Sequence, residues 1–81
     1  MKDVKVAKDF YVPKEKVKFY TAYVSKHITD EIRRKKKTSP ESVIDYTCGK
    51  KTMSVIYLVT GDIILVNTAI DTIAARMNEE G

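Results

Sequence analysis

Gly49-Lys50-Lys51 is where residue type and spacing in this sequence best suit a defined chemistry. Two adjacent lysines after a glycine, with strand-forming residues on both sides, can project from a tight turn and meet a phosphate. The glycine suits a positive φ, and backbone N–H groups beside it add donors for an anion. The same residues also suit a solvated turn carrying solubilising charge, and spacing alone leaves both readings open. Two further basic groups share this ambiguity. Arg33-Arg34-Lys35-Lys36-Lys37 offers a basic rim for DNA, or a helix end whose cations complement the dipole. Lys14, Lys16 and Lys18 alternate as a stripe would, or as edge-strand lysines that block unwanted pairing.

Nothing comparable supports catalysis. Cys48 is the only cysteine and His27 the only histidine, so an intrachain disulfide is excluded and a four-ligand zinc site has too few soft ligands. Cys48 stands beside basic residues, yet no histidine lies near it in sequence to activate a nucleophile. Asp45, Asp62 and Asp71 form no paired-carboxylate motif, and no Walker, GxGxxG or GxSxG pattern occurs. The expectation is a protein that is not an enzyme, with no catalytic residue, cofactor, metal or small-molecule substrate. Tyr46 and Tyr57 suit core or interface positions, or a stacking platform for single-stranded nucleic acid.

The elements that must position these residues follow from periodicity. Val4 and Val6 alternate with lysines as a half-buried strand does. The extended character continues through Phe10-Tyr11-Val12 until a turn at Pro13. Residues 17–24 are rich in aromatic and β-branched side chains, which favours a strand. Ser25 can cap a helix to about Lys37, with Ile28 and Ile32 on one face. Pro40 should keep Ser39 out of helix. Residues 43–47 read as a strand, 48–51 as a tight turn, and 52–59 as a strand apolar on both faces. Thr60-Gly61-Asp62 is a hairpin loop, and residues 63–66 return beside that strand. Asn67 or Thr68 caps a last helix whose apolar face is Ile70, Ile73, Ala74 and Met77. The fold class expected is α+β, a small antiparallel sheet with two helices.

The 81 residues suit a single domain, 1–81, with a modest core, and self-association is the natural source of further burial. The net charge of +4 divides unevenly, with +7 on residues 1–37 and −3 on residues 38–81. A basic half points to an acidic partner, of which nucleic acid is the commonest. The charged N-terminus does not suit a signal peptide. The longest apolar run, residues 55–59, is far short of the roughly 20 residues that span a membrane. The expectation is a cytoplasmic protein with no membrane partner.

Residues 43–56, Val-Ile-Asp-Tyr-Thr-Cys-Gly-Lys-Lys-Thr-Met-Ser-Val-Ile, resemble the signature of the RemA-like regulators, small bacterial proteins that control extracellular matrix genes. The family's pattern there is aliphatic pair, Asp, Ala, Thr, Tyr, Gly, Arg, Arg, Thr, Arg, Ala, Val. The likeness continues through Gly61-Asp62-Ile63-Ile64-Leu65 and the closing helix, covering roughly residues 43–77. It is looser before that, carried mainly by residues 12–17. The resemblance implies a transcriptional regulator of biofilm matrix genes that binds double-stranded DNA. It implies self-assembly into a homo-oligomeric ring, with an octamer as the stoichiometry the family suggests, around which DNA bends or wraps. The family's paired arginines map onto Lys50 and Lys51. A further basic position maps onto Lys16, or onto Lys18 if the register slips by two.

Three departures shape what is expected. Lysine keeps the arginine charge but loses the bidentate fork, which favours phosphate contact over guanine readout. Met53 replaces the third basic residue, and the linker 35–42 is longer and more charged than usual. The DNA-binding set expected is Gly49, Lys50 and Lys51, supported by Lys16, Lys18, Arg33 and Arg34. The rival expectation is an oligomeric protein-interaction or scaffold module that keeps the fold without binding DNA.

Overall fold

Strand 54–58 organises the chain, because apolar residues occupy both of its faces. The computed structural model describes residues 3–78. In it β1 (Asp3–Ala7) and β2 (Phe10–Pro13) form an antiparallel hairpin, with Val4 opposite Val12. A 3-10 turn, Lys14–Lys16, leads into β3 (Val17–Ala22). Helix α1 (Lys26–Thr38) begins where the Ser25 hydroxyl accepts the His27 N–H at 3.1 Å and ends ahead of Pro40, with Ser39 at φ −144°. After a 3-10 turn, Pro40–Ser42, come β4 (Val43–Asp45), β5 (Ser54–Leu58), β6 (Ile63–Val66) and α2 (Ile70–Met77).

The class is α+β, as expected, but the main sheet is mixed. Its order is β3-β5-β6-β4, and β4 runs parallel to β6, with Val43 opposite Ile63 and Asp45 opposite Leu65. The expected hairpin of residues 43–47 with 52–59 is therefore absent. Loop length explains the choice: Thr60-Gly61 closes β5 onto β6 through a very short connection, with Gly61 at φ 97°, and short closures cost least entropy. β3 takes the other edge of β5. β4 is left with the far edge of β6, and residues 46–53 pass over the end of β6 to reach β5.

Each face of this sheet carries its own core. Val55, Tyr57, Ile63 and Leu65 pack under α1 through Ile32. On the opposite face Ile56, Ile64 and Val66 pack against Val4, Val6 and Val12 of the first hairpin and Ile73 of α2. The result is three layers: helix, mixed sheet, then hairpin with helix.

The last helix also departs from expectation. Its N-cap is Ala69, with no side-chain cap. Asn67 and Thr68 are used elsewhere: the Thr68 hydroxyl donates to the Val6 carbonyl at 2.8 Å, and the Asn67 amide donates to the Lys51 carbonyl. The buried Ser54 hydroxyl donates to the Thr68 carbonyl. These polar residues tie the hairpin and the loop 46–53 to the end of β6.

Ile32 is the α1 residue that is fully buried, at 2 % exposure. Ile32→Ala should cost about 2–4 kcal/mol, seen as a lower urea midpoint at unchanged slope. A loss below about 0.5 kcal/mol, the level of ordinary surface substitutions, would show that α1 is not anchored there.

Candidate nucleic-acid interface

The turn at Gly49 is built from the end of β4. Asp45 Oδ1 accepts the Thr47 N–H at 2.9 Å and the Thr47 hydroxyl at 2.6 Å, a local side-chain turn of the kind aspartate favours. These two bonds, the hydroxyl first, hold the Asp45 carboxyl below its ordinary pKa, with a smaller pull from Lys36. The Lys50 N–H then returns to the Thr47 carbonyl at 3.1 Å. Between them Cys48 and Gly49 lie at φ 57° and 82°. Two successive positive φ values closed by that bond make a turn of the I′ kind. A Cβ at Gly49 would meet nothing within 4 Å, so glycine is needed for its φ and not for space.

The chain leaves the turn equally fixed. Asn67 holds the Lys51 carbonyl, the Met53 N–H bonds Val66, and Tyr23 donates to the Met53 carbonyl at 3.0 Å. Lys50 and Lys51 are exposed on this clamped segment. β3 and β6 both finish at this end, opposite Ser54, so the positive N-terminal poles of α1 and α2 also start here.

The other expected residues are not brought to this end. Val17 pairs with Leu58, and the Lys16 carbonyl accepts the Val59 N–H at 2.8 Å. Lys16 and Lys18 therefore sit near Gly61, across the length of β5, roughly 14 Å of strand at about 3.4 Å per residue. Lys18 is the extra residue of a bulge between Val17 and Phe19. Arg33 and Arg34 lie in the half of α1 that runs back from the Lys50 end. Arg33 pairs with Asp30 at 3.4 Å, and Arg34 lines a shallow groove of about 210 Å³ with Glu31, Lys35 and Thr38. The chain thus presents two separated basic ends.

The turn instead gains a neighbour that sequence spacing did not single out. Lys8, at the tip of the first hairpin, lines a cleft of about 360 Å³ together with Tyr46, Thr47, Lys50 and Thr68. The only available signal was a lysine beside the hairpin's tight turn; its closeness to Lys50 depends on how the hairpin docks.

The tyrosines are not open stacking platforms. Tyr46 stacks on Phe10 with ring centroids 3.8 Å apart. Tyr57 is buried and stacks on Phe19 at 4.3 Å. Its buried hydroxyl has no hydrogen bond of ordinary geometry; burial first, then the Glu31 charge, raises its pKa. His27 faces solvent 3.9 Å from the Glu31 carboxylate, and Cys48 is exposed as a free thiol. Among the described residues no group of acidic, His or Cys side chains is arranged to hold a metal ion, and no helix is long and apolar enough to cross a membrane.

The chain belongs to the RemA-like family, described as extracellular matrix regulatory protein A-like, whose pattern it matches over residues 4–77. That span takes in the first hairpin and both helices, beyond the region around the turn. No curated protein matches the sequence.

Two outcomes test the turn. Cys48→Gly should raise stability by about 0.5–1 kcal/mol and Gly49→Ala should lower it by about 1 kcal/mol, because only one position already has the residue its φ favours. Equal effects in thermal unfolding would mean the left-handed pair is not formed. The depressed Asp45 pKa makes its contribution to stability fully present above the ordinary carboxylate range. That contribution is lost as pH falls through the lower folded value. An acid titration of the Thr47 amide shift should show a midpoint below the usual aspartate value, and a midpoint at or above it would break the Asp45–Thr47 assignment.

Proposed function

With RemA-like membership as the premise, we propose that this protein is a DNA-binding transcriptional regulator, working in the cytoplasm as a homo-oligomeric ring and not as an enzyme. The observation that carries this reading is the clamped turn: two exposed lysines on a backbone held by main-chain and side-chain bonds, at the sheet end where both helix N-termini lie. Lysine offers charge without the fork of arginine, so Lys50 and Lys51 hold backbone phosphates. Sequence preference comes from how readily a DNA site bends.

The distance between the two basic ends supports the assembly half of the proposal. A protomer offers only a few phosphate contacts at Lys50 and Lys51, with Lys16, Lys18, Arg33 and Arg34 elsewhere on its surface. A ring repeats each weak contact along one duplex, and the repeated contacts multiply affinity. Such binding falls steeply with salt, by about 0.9 in log–log slope for each phosphate neutralised.

A gel-shift salt titration with duplex DNA tests this. Lys50→Ala/Lys51→Ala should bind at least tenfold more weakly near physiological salt, on the order expected for losing several phosphate contacts, and with a shallower slope. Light scattering should give the same oligomer for both proteins. Equal binding across salt would remove the lysines from the site, and a stable monomer at micromolar concentration would overturn the ring.

A further inference from the structure

We propose that the cleft beside the turn is a phosphate seat, in which Lys8 and Lys50 hold one phosphate group between them. The inference deepens the DNA-binding reading and rests on it for the biological source of the phosphate. The cleft itself rests on geometry alone.

Lys8 is placed by packing, not by chance. Val4, Val6 and Val12 dock the first hairpin on the sheet, and the Thr68 hydroxyl holds the Val6 carbonyl at 2.8 Å. Asp9, at φ 67°, turns the chain immediately after Lys8. These constraints set Ala7 and Lys8 on one wall of the cleft, with Thr47, Cys48 and Lys50 on the other.

The charge balance of the cleft asks for an anion. No carboxylate lines it. Asp45, the nearest acid in sequence to Thr47, has Oδ1 engaged by the Thr47 N–H and hydroxyl. Asp9 and Asp71 are exposed outside the lining. The ion pairs among the described residues are His27–Glu31 and Arg33–Asp30, so neither Lys8 nor Lys50 has a carboxylate partner among the described residues. Two like-charged residues that line one concave space repel, and a bound anion would turn that repulsion into attraction from both. The N-terminal pole of α2, which has no side-chain cap, begins just past Thr68 and adds to the same field.

The available partners select phosphate over a base. A space of about 360 Å³ admits a phosphate with its adjoining sugar. Tyr46 spends one ring face on Phe10, and no second aromatic side chain lines the cleft to sandwich a base. The phosphate can come from a DNA backbone or from a small phosphorylated molecule, and the chemistry of capture is the same.

The experiment compares Lys8→Ala with Lys5→Ala, which removes the same charge from an exposed site outside the cleft. In duplex binding, Lys8→Ala should weaken affinity roughly three- to tenfold more than Lys5→Ala, uniformly across sequences. It should also reduce the salt slope by about 1 for each seat engaged. In parallel, pyrophosphate titrated into the isotope-labelled protein should move the amides of Lys8 and residues 47–50, and Lys8→Ala/Lys50→Ala should abolish the movement. If the wild type binds no duplex yet pyrophosphate moves those amides, the DNA reading fails while the seat stands, with a small phosphorylated molecule as occupant. If Lys8→Ala matches Lys5→Ala on DNA and pyrophosphate leaves the cleft amides still, the seat is overturned.

Discussion

The two-sided apolar character of β5 constrains almost everything else. Val55 and Tyr57 need cover on one face, Ile56 and Leu58 on the other. A strand with no polar face cannot sit at an edge or against solvent, so the sheet must be sandwiched. α1 supplies one cover through Ile32; the first hairpin and α2 together supply the other. Once β3 and β6 have taken both edges of β5, β4 has only an outer edge to pair with, and it takes that of β6. The segment that joins β4 to β5 must then pass over the sheet's end. Core packing thus decides that a basic turn is displayed there at all.

That origin distinguishes this turn from an ordinary hairpin tip. A hairpin tip is held by the two strands it joins. Here the turn is closed by Asp45 and Thr47 on one side and suspended from Asn67, Val66 and Tyr23 on the other. The backbone that carries the two lysines is held in place, and among the described residues neither lysine forms an ion pair. A backbone already fixed leaves only the lysine side chains to be ordered when a polyanion is bound.

Much of this was legible along the chain because its signals are local. The alternation at Val4 and Val6, the Ser25 cap, the stop before Pro40 and the Gly61 hairpin each depend on residues a few positions apart, and each appears where the pattern places it. The parallel pairing of β4 with β6 has no local signature: residues 43–47 look the same whichever strand they join. Asn67 and Thr68 have the chemistry of helix caps, and tertiary partners at Lys51 and Val6 claim them first. Lys8 meets Lys50 only through the docking of a separate hairpin. Lys16 and Lys18 share the turn's charge but not its place, because β3 begins at the Gly61 end of β5.

The suspension of the turn from Asn67 has a mechanical side. A rod bent around a protein pushes back on every point that grips it. Force applied at Lys50 and Lys51 passes through the Lys51 carbonyl to Asn67, and through Met53 to Val66. Both anchors sit at the end of β6, an interior strand bonded along both edges. Load therefore enters the sheet through a strand held by two rows of bonds, where many share it at once, instead of peeling an edge one bond at a time.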